Sequence, residues 1–178
     1  MSTFDWDLYI SNPAVAAEQV KDLIWEKFRD DLGGLHMGTY KHDGRTGYGY
    51  VPVGAPCTLD VHDGLRVKHF TGAYPDWFGF EPNLSVYGAV TEELTGPKFS
   101  YATREESEAA GLLFVAKVMF HVLANVEGDA VIAAGDQFIL LRKHGKVTVD
   151  PSRGRWSPEL LALLGVDYET REIPIPAG

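Results

Sequence analysis

At 178 residues, 45% of them apolar and 12% aromatic, the chain is long enough for one folded domain with its own core and too apolar for wholesale disorder. Its formal charge of -9 argues against general binding to nucleic acid or anionic membrane, and suits either plain solubility or a basic partner. The single cysteine, Cys57, excludes an intrachain disulfide and a cysteine-based zinc cluster. Set before a Thr-Leu-Asp-Val strand, it reads as a small buried hydrophobe.

The N-terminal stretch is acidic and aromatic, with no basic segment leading into an apolar run. No secretory signal is therefore expected, and the expected location is the cytoplasm. Phe4 to Ile10 alternates, with Phe4, Trp6, Leu8 and Ile10 on one side and Asp5, Asp7 and Tyr9 on the other: a half-buried strand. Asn12 followed by Pro13 marks a helix start, and the helix is expected to run to about Asp31, where Gly33-Gly34 stops it. Val20, Leu23, Ile24 and Phe28 form its apolar face, opposite Glu18, Asp22, Glu26 and Arg29.

Leu35 to Pro56 is rich in glycine and tyrosine and reads as two weak strands about a Lys41–Gly44 turn. Thr58–Val61 and Leu65–Phe70 are clearer strands joined at His62-Asp63-Gly64, and Asp-Gly is a hairpin signal. A loop dense in rings follows, holding Tyr74, Trp77, Phe78 and Phe80. Asn83 to Thr91 alternates again, and Gly88 within it suggests a bulge. After a polar loop, Thr103 and Glu106 form a capping-box pattern for a helix over Arg104–Glu127. That helix is apolar almost all round, with Lys117, His121 and Asn125 as its one polar line, so it belongs in a core. A membrane span needs about 20 apolar residues, and Gly111, Lys117, His121 and Asn125 interrupt this run. Gly128 caps it. Short strands follow at Ala130–Ala134, Gln137–Arg142 and Val147–Val149, then a short helix opened by Ser157-Pro158 and an extended tail beyond Tyr168. The sum is an α+β fold, a single domain over residues 1–178, with a mostly antiparallel sheet packed against two main helices.

Candidate chemistry is sparse. His36, His42, His62 and His69 share a segment with Asp43, Asp60 and Asp63, but in no metal-ligand spacing. No nucleophile elbow, Walker loop or dinucleotide fingerprint is present, so no catalytic residue, metal or cofactor is expected. Lys117 and His121 could form a buried acid–base pair, yet nothing visible orients them. The loop from Tyr74 to Phe80 has the composition of an interaction hot spot, or of rings plugging one end of a core. Arg142, Lys143, Lys146, Arg153 and Arg155 make a local basic cluster that reads as a solvated rim.

From Phe78-Gly79-Phe80-Glu81-Pro82 onward, the order of signals resembles one known group. An alternating strand and an apolar helix lead to Glu127-Gly128-Asp129-Ala130-Val131-Ile132. Phe138-Ile139-Leu140-Leu141-Arg142 then meets Gly145, and Trp156 precedes a turn ending in Leu164-Gly165. This resembles the swarm-inhibition (Sit-type) immunity proteins of bacterial polymorphic toxin systems, over about half the chain. The chain departs from them in its Gly/Tyr-rich segment 35–56 and its longer loop 92–101. The resemblance implies a non-enzymatic protein that binds and occludes a cognate toxin. The charge of -9 suits a basic one, and the ring-rich loop and nearby acids make Tyr74, Asp76, Trp77, Glu92 and Glu93 the expected contacts. The alternative is a small-ligand binding domain or enzyme with a pocket near the central helix, using His62, His69, Lys117 or His121. Oligomeric state is left open.

Overall fold

The computed structural model describes residues 2–30, 35–42, 45–52, 55–63, 81–91 and 103–174. Among these, nine strands form one sheet: β1 (Ser2–Ser11), β2 (Leu35–His42), β3 (Arg45–Pro52), β4 (Thr58–His62), β5 (Leu84–Thr91), β6 (Asp129–Ala134), β7 (Gln137–Lys143), β8 (Lys146–Val149) and β9 (Tyr168–Thr170). Their order is β2-β3-β4-β5-β1-β6-β7-β8-β9, so the first strand of the chain sits at the centre. All pairings are antiparallel except β8 with β9. Three helices, α1 (Ala17–Phe28), α2 (Arg104–Asn125) and α3 (Pro158–Leu163), pack into the main core with the sheet. The α+β class and its two main helices are as the sequence indicates. The expected strand Leu65–Phe70, the ring-rich loop and the Gly33-Gly34 stop lie outside the described residues.

The period-two alternation of β1 divides the sheet. Trp6, Leu8 and Ile10 enter the helix-side core, with Leu59, Val61, Val86, Val90, Ile132 and Leu140 from neighbouring strands. The central helix lies on β5 through two reciprocal gaps. A side chain at Gly88 would meet Val115 Cγ1 at 2.5 Å, and one at Gly111 would meet Val90 Cγ2 at 2.5 Å and the Pro56 carbonyl at 3.0 Å. Glycine on the strand receives valine from the helix, and glycine on the helix receives valine from the strand. Gly88 thus marks close approach, not the expected bulge. It pairs in register with Trp6, and the only irregularity between β1 and β5 falls between Ser2 and Phe4. By length and composition α2 could cross a membrane, but Leu112, Phe114, Val115, Val118, Met119 and Val122 on it are buried against the rest of the domain.

The helix ends follow local rules, with two corrections. The central helix stops at Asn125 with Val126 extended (φ -119°, ψ 112°), so Gly128 lies past its end instead of capping it. Thr103 Oγ1 accepts from Glu106 N–H at 3.1 Å, and Ser157 Oγ accepts from Leu160 N–H at 3.2 Å. Asn12, however, does not cap α1. Its Oδ1 accepts from Ala14 N–H at 3.1 Å and its Nδ2 donates to the Glu127 carbonyl, so it turns the chain and ties it to the end of α2. The helix begins at Ala17, with Gln19 Oε1 accepting from Ala16 N–H at 2.7 Å. Two residues with positive φ, His144 (51°) and Gly145 (78°), form the two-residue turn between β7 and β8.

The basic cluster is not simply a solvated rim, because two of its members are structural. Arg142 donates from Nε to the Gly128 carbonyl, from Nη1 to that of Leu123 and from Nη2 to that of Val126, at 2.6–2.7 Å. It therefore caps the carbonyl end of α2 with two charge-assisted bonds and holds the turn after it with a third. Arg153 pairs with Asp150 and donates to the Ile173 carbonyl at 2.9 Å, while Asp150 Oδ2 accepts from Ile173 N–H at 3.0 Å. The two side chains hold both backbone groups of Ile173. Its side chain then joins Tyr9, Val131, Ala133 and Phe138 in a second, smaller cluster on the sheet's other face.

Burial by itself would raise the pKa of Asp150, which is 1% exposed. Hydrogen bonds from Ser152 Oγ and from the Ile173 and Ser152 N–H groups, with the Arg153 charge, outweigh it and hold the carboxyl below its ordinary value. A depressed folded-state pKa contributes stability that is present above the unfolded value of about 3.9 and is lost as pH falls through the folded one.

Two expectations follow. Asp150→Asn should lower unfolding stability at neutral pH by about 1–3 kcal/mol and flatten the acid limb of a stability–pH curve below about pH 4; an unchanged acid limb in urea melts would rule the clamp out. Gly88→Ala should cost about 1–3 kcal/mol by overpacking. Adding Val115→Ala should cost less than the sum of the two single changes, because truncating Val115 removes the clash and the new methyl at position 88 fills part of the space it leaves.

Candidate functional site

The sheet's second face carries the most unusual chemistry among the described residues. Asp5, Asp7 and Tyr9 project there from the central strand, because their neighbours Trp6, Leu8 and Ile10 face the helices. Register extends the set across three strands. Tyr87 lies between Asp7 and Asp60, Ser85 between Tyr9 and His62, and Ala89 between Asp5 and Thr58. Tyr87 Oη donates to Asp5 Oδ2 at 3.2 Å, and Ser85 Oγ lies 3.5 Å from Asp7 Oδ1. Ser85 is fully buried and His62 8% exposed, whereas Asp5, Asp7, Asp60 and Tyr87 are half-buried.

Toward the β2 edge, among the described residues, glycines take the place of side chains on this face. Gly38 pairs with Gly49, and Gly47 pairs with Tyr40, all on this side. The Tyr40 ring, 42% exposed, lies over Gly47, where any Cβ would collide with it. A Cβ at Gly49 would meet Asp60 Oδ1 at 3.1 Å. The glycine content of this segment therefore clears a shallow floor bordered by Tyr40, Asp60 and Tyr87. It is neither a phosphate loop nor a mere hairpin linker.

Aspartate is a poor strand former, and two on the central strand of a nine-stranded sheet do nothing for the helix-side core. Half-buried carboxylates beside phenols suit the binding of cationic side chains, since a lower local dielectric strengthens such pairs. Serine, histidine and aspartate do meet here, but not in the order hydrolysis requires. A nucleophilic hydroxyl must donate to the imidazole, and the Ser85 hydroxyl is directed to Asp7 in a fully buried position.

The other sequence candidates are dispersed. Tyr74, Asp76, Trp77, Glu92, Glu93 and His69 lie outside the described residues. Lys117 is exposed on α2. His121 packs edge-on against Phe28, 5.5 Å between ring centres, on the helix side of the sheet, while His62 belongs to the opposite face. Burial, then the charge of Lys27, lowers the pKa of His121, and its hydrogen bond with the Leu23 carbonyl works against them. This is a histidine of the α1–α2 interface, not one that converges with His62. Among the described residues no group of three or more His, Cys, Asp or Glu could hold a metal ion. Cys57 is fully buried, which pushes its thiol pKa far up and leaves it a hydrophobe.

No family model, no curated protein and no solved structure matches this chain. Sequence reading places Asp5 and Asp7 on the polar side of their strand but offers no reason to join them to Asp60, His62 and Tyr87. Only cross-strand register does that.

Proposed function

We propose that the chain is an immunity-like binding protein that occludes a cognate bacterial toxin with the acidic second face of its sheet. The observation that carries this is the half-exposed row of Asp5, Asp7, Asp60 and Tyr87 on a rigid sheet. A net charge of -9 adds long-range attraction for a basic partner. Rigid strands hold the carboxylates in fixed positions, so little side-chain freedom is lost on binding. The bare glycine floor beside Asp60 leaves room for a partner's side chains, and Tyr40 and Tyr87 supply flat contact area of the kind found at interface centres. The loop residues Tyr74, Asp76, Trp77, Glu92 and Glu93 remain proposed contacts through the ring-rich composition of their loop and the acids near it. On this reading the chain works by covering a site on the toxin, with no cofactor and no catalysis of its own.

The test is binding to the toxins encoded beside the gene, measured by calorimetry at two salt concentrations. Specific binding that weakens with salt is expected. The triple change Asp5→Asn, Asp7→Asn and Asp60→Asn should weaken it by at least about tenfold while circular dichroism stays native. A well-folded chain that binds none of these toxins, or binds one equally well without the three charges, refutes the proposal.

A further inference from the structure

On the helix side, between the end of α2, the β7–β8 turn and the segment after α3, lies a cavity of about 610 Å³. That is within the range of small-molecule sites, about 300–1,000 Å³. Its walls are apolar: Phe120 and Leu123 from α2, Leu140 from β7, Val147 from β8 and Leu164 after α3. Val166, 46% exposed, stands at its mouth. Three carboxylates line it, Glu127, Asp129 and Asp167.

The charges decide what such a cavity would accept. Its one guanidinium, Arg142, directs Nε, Nη1 and Nη2 at the backbone carbonyls that end α2. It stays in the wall as a helix cap and does not reach toward an incoming anion. Asp129 uses one oxygen to accept from His144 N–H at 2.9 Å. The Glu127 and Asp167 side chains are exposed, and their carboxylates accept no hydrogen bond from any described residue. Among the described lining residues, an anion would meet three carboxylates against one guanidinium, whose charge is already shared with Asp129 and Glu127. A neutral molecule would gain the walls only. A cation with an apolar body gains both, and the carbonyl end of a helix favours positive charge as well.

We infer that this cavity is a binding site for a small amphipathic organic cation, an arylalkyl or alkyl amine whose body fills the apolar walls and whose ammonium meets Glu127 and Asp167. The site is separate from the toxin-binding reading, since it opens on the helix side and shares no residue with the acidic sheet face. Either can fail without the other.

Three indole probes that differ only in charge test it: tryptamine, the neutral tryptophol and the anionic indole-3-propionate, each titrated into the full chain and followed by calorimetry and methyl NMR. Tryptamine should bind at least about tenfold more tightly than tryptophol, with shifts at the Leu123, Leu140 and Val147 methyls, and indole-3-propionate should be weakest. Glu127→Gln with Asp167→Asn should remove the preference for the amine and leave tryptophol binding unchanged. Glu26→Gln, an exposed charge on α1, should have no effect. The inference is overturned by equal affinity for all three probes, by no binding of tryptamine at millimolar concentration, by shifts that map elsewhere, or by an amine preference that survives the double change.

Discussion

The close seating of α2 on β5 is the constraint that organises this domain. Gly88 and Gly111 bring helix and strand together at the points where Val115 and Val90 fill the space. Because interiors pack at near-crystalline density, the pair admits few alternative alignments. Once α2 is fixed, Phe114 meets Phe28 of α1 edge-on, with ring centres 5.6 Å apart. Phe120 stacks on Trp156, which in turn contacts Trp6 of the central strand. The position of α3, which follows Trp156 directly, is thus set through α2. So is the carbonyl end of α2, where Arg142 of β7 joins helix to sheet.

That arrangement uses one face of the sheet for stability and leaves the other to different chemistry. The helix-side face is continuous hydrocarbon from β3 to β8. The second face keeps a small apolar cluster near β6 and β7, sealed by Ile173, and gives the middle of the sheet to aspartates and tyrosines. Substituting valine or threonine for those aspartates would suit the strand better by propensity. Asp5, Asp7 and Asp60 hold those half-buried positions nonetheless.

The two arginines illustrate how a cation in an acidic protein becomes structural. Arg142 and Arg153 each end on backbone carbonyls, where a planar fork of donors satisfies groups that no helix or strand partner reaches. Taking Arg142 out of circulation leaves the carboxylates beside it facing a cavity with apolar walls. The same side chain closes a helix and lines a pocket.

Sequence by itself determined the elements. The alternation in β1, the all-round apolarity of α2, the Thr103 and Ser157 caps and the His144-Gly145 turn are local consequences of side-chain period, backbone hydrogen bonding and φ preference. Such effects act over a few residues and are written in consecutive positions. Tertiary structure alone decided that Asn12 ties the chain to Glu127 instead of capping α1, that Gly88 receives Val115, and that Arg142 and Arg153 turn inward. It also decided that Asp5, Asp7, Asp60 and Tyr87 share one face while His62 and His121 do not. Each of these depends on partners more than a dozen residues away in sequence or on the register of neighbouring strands, and a one-residue slip would have sent every side chain to the opposite side.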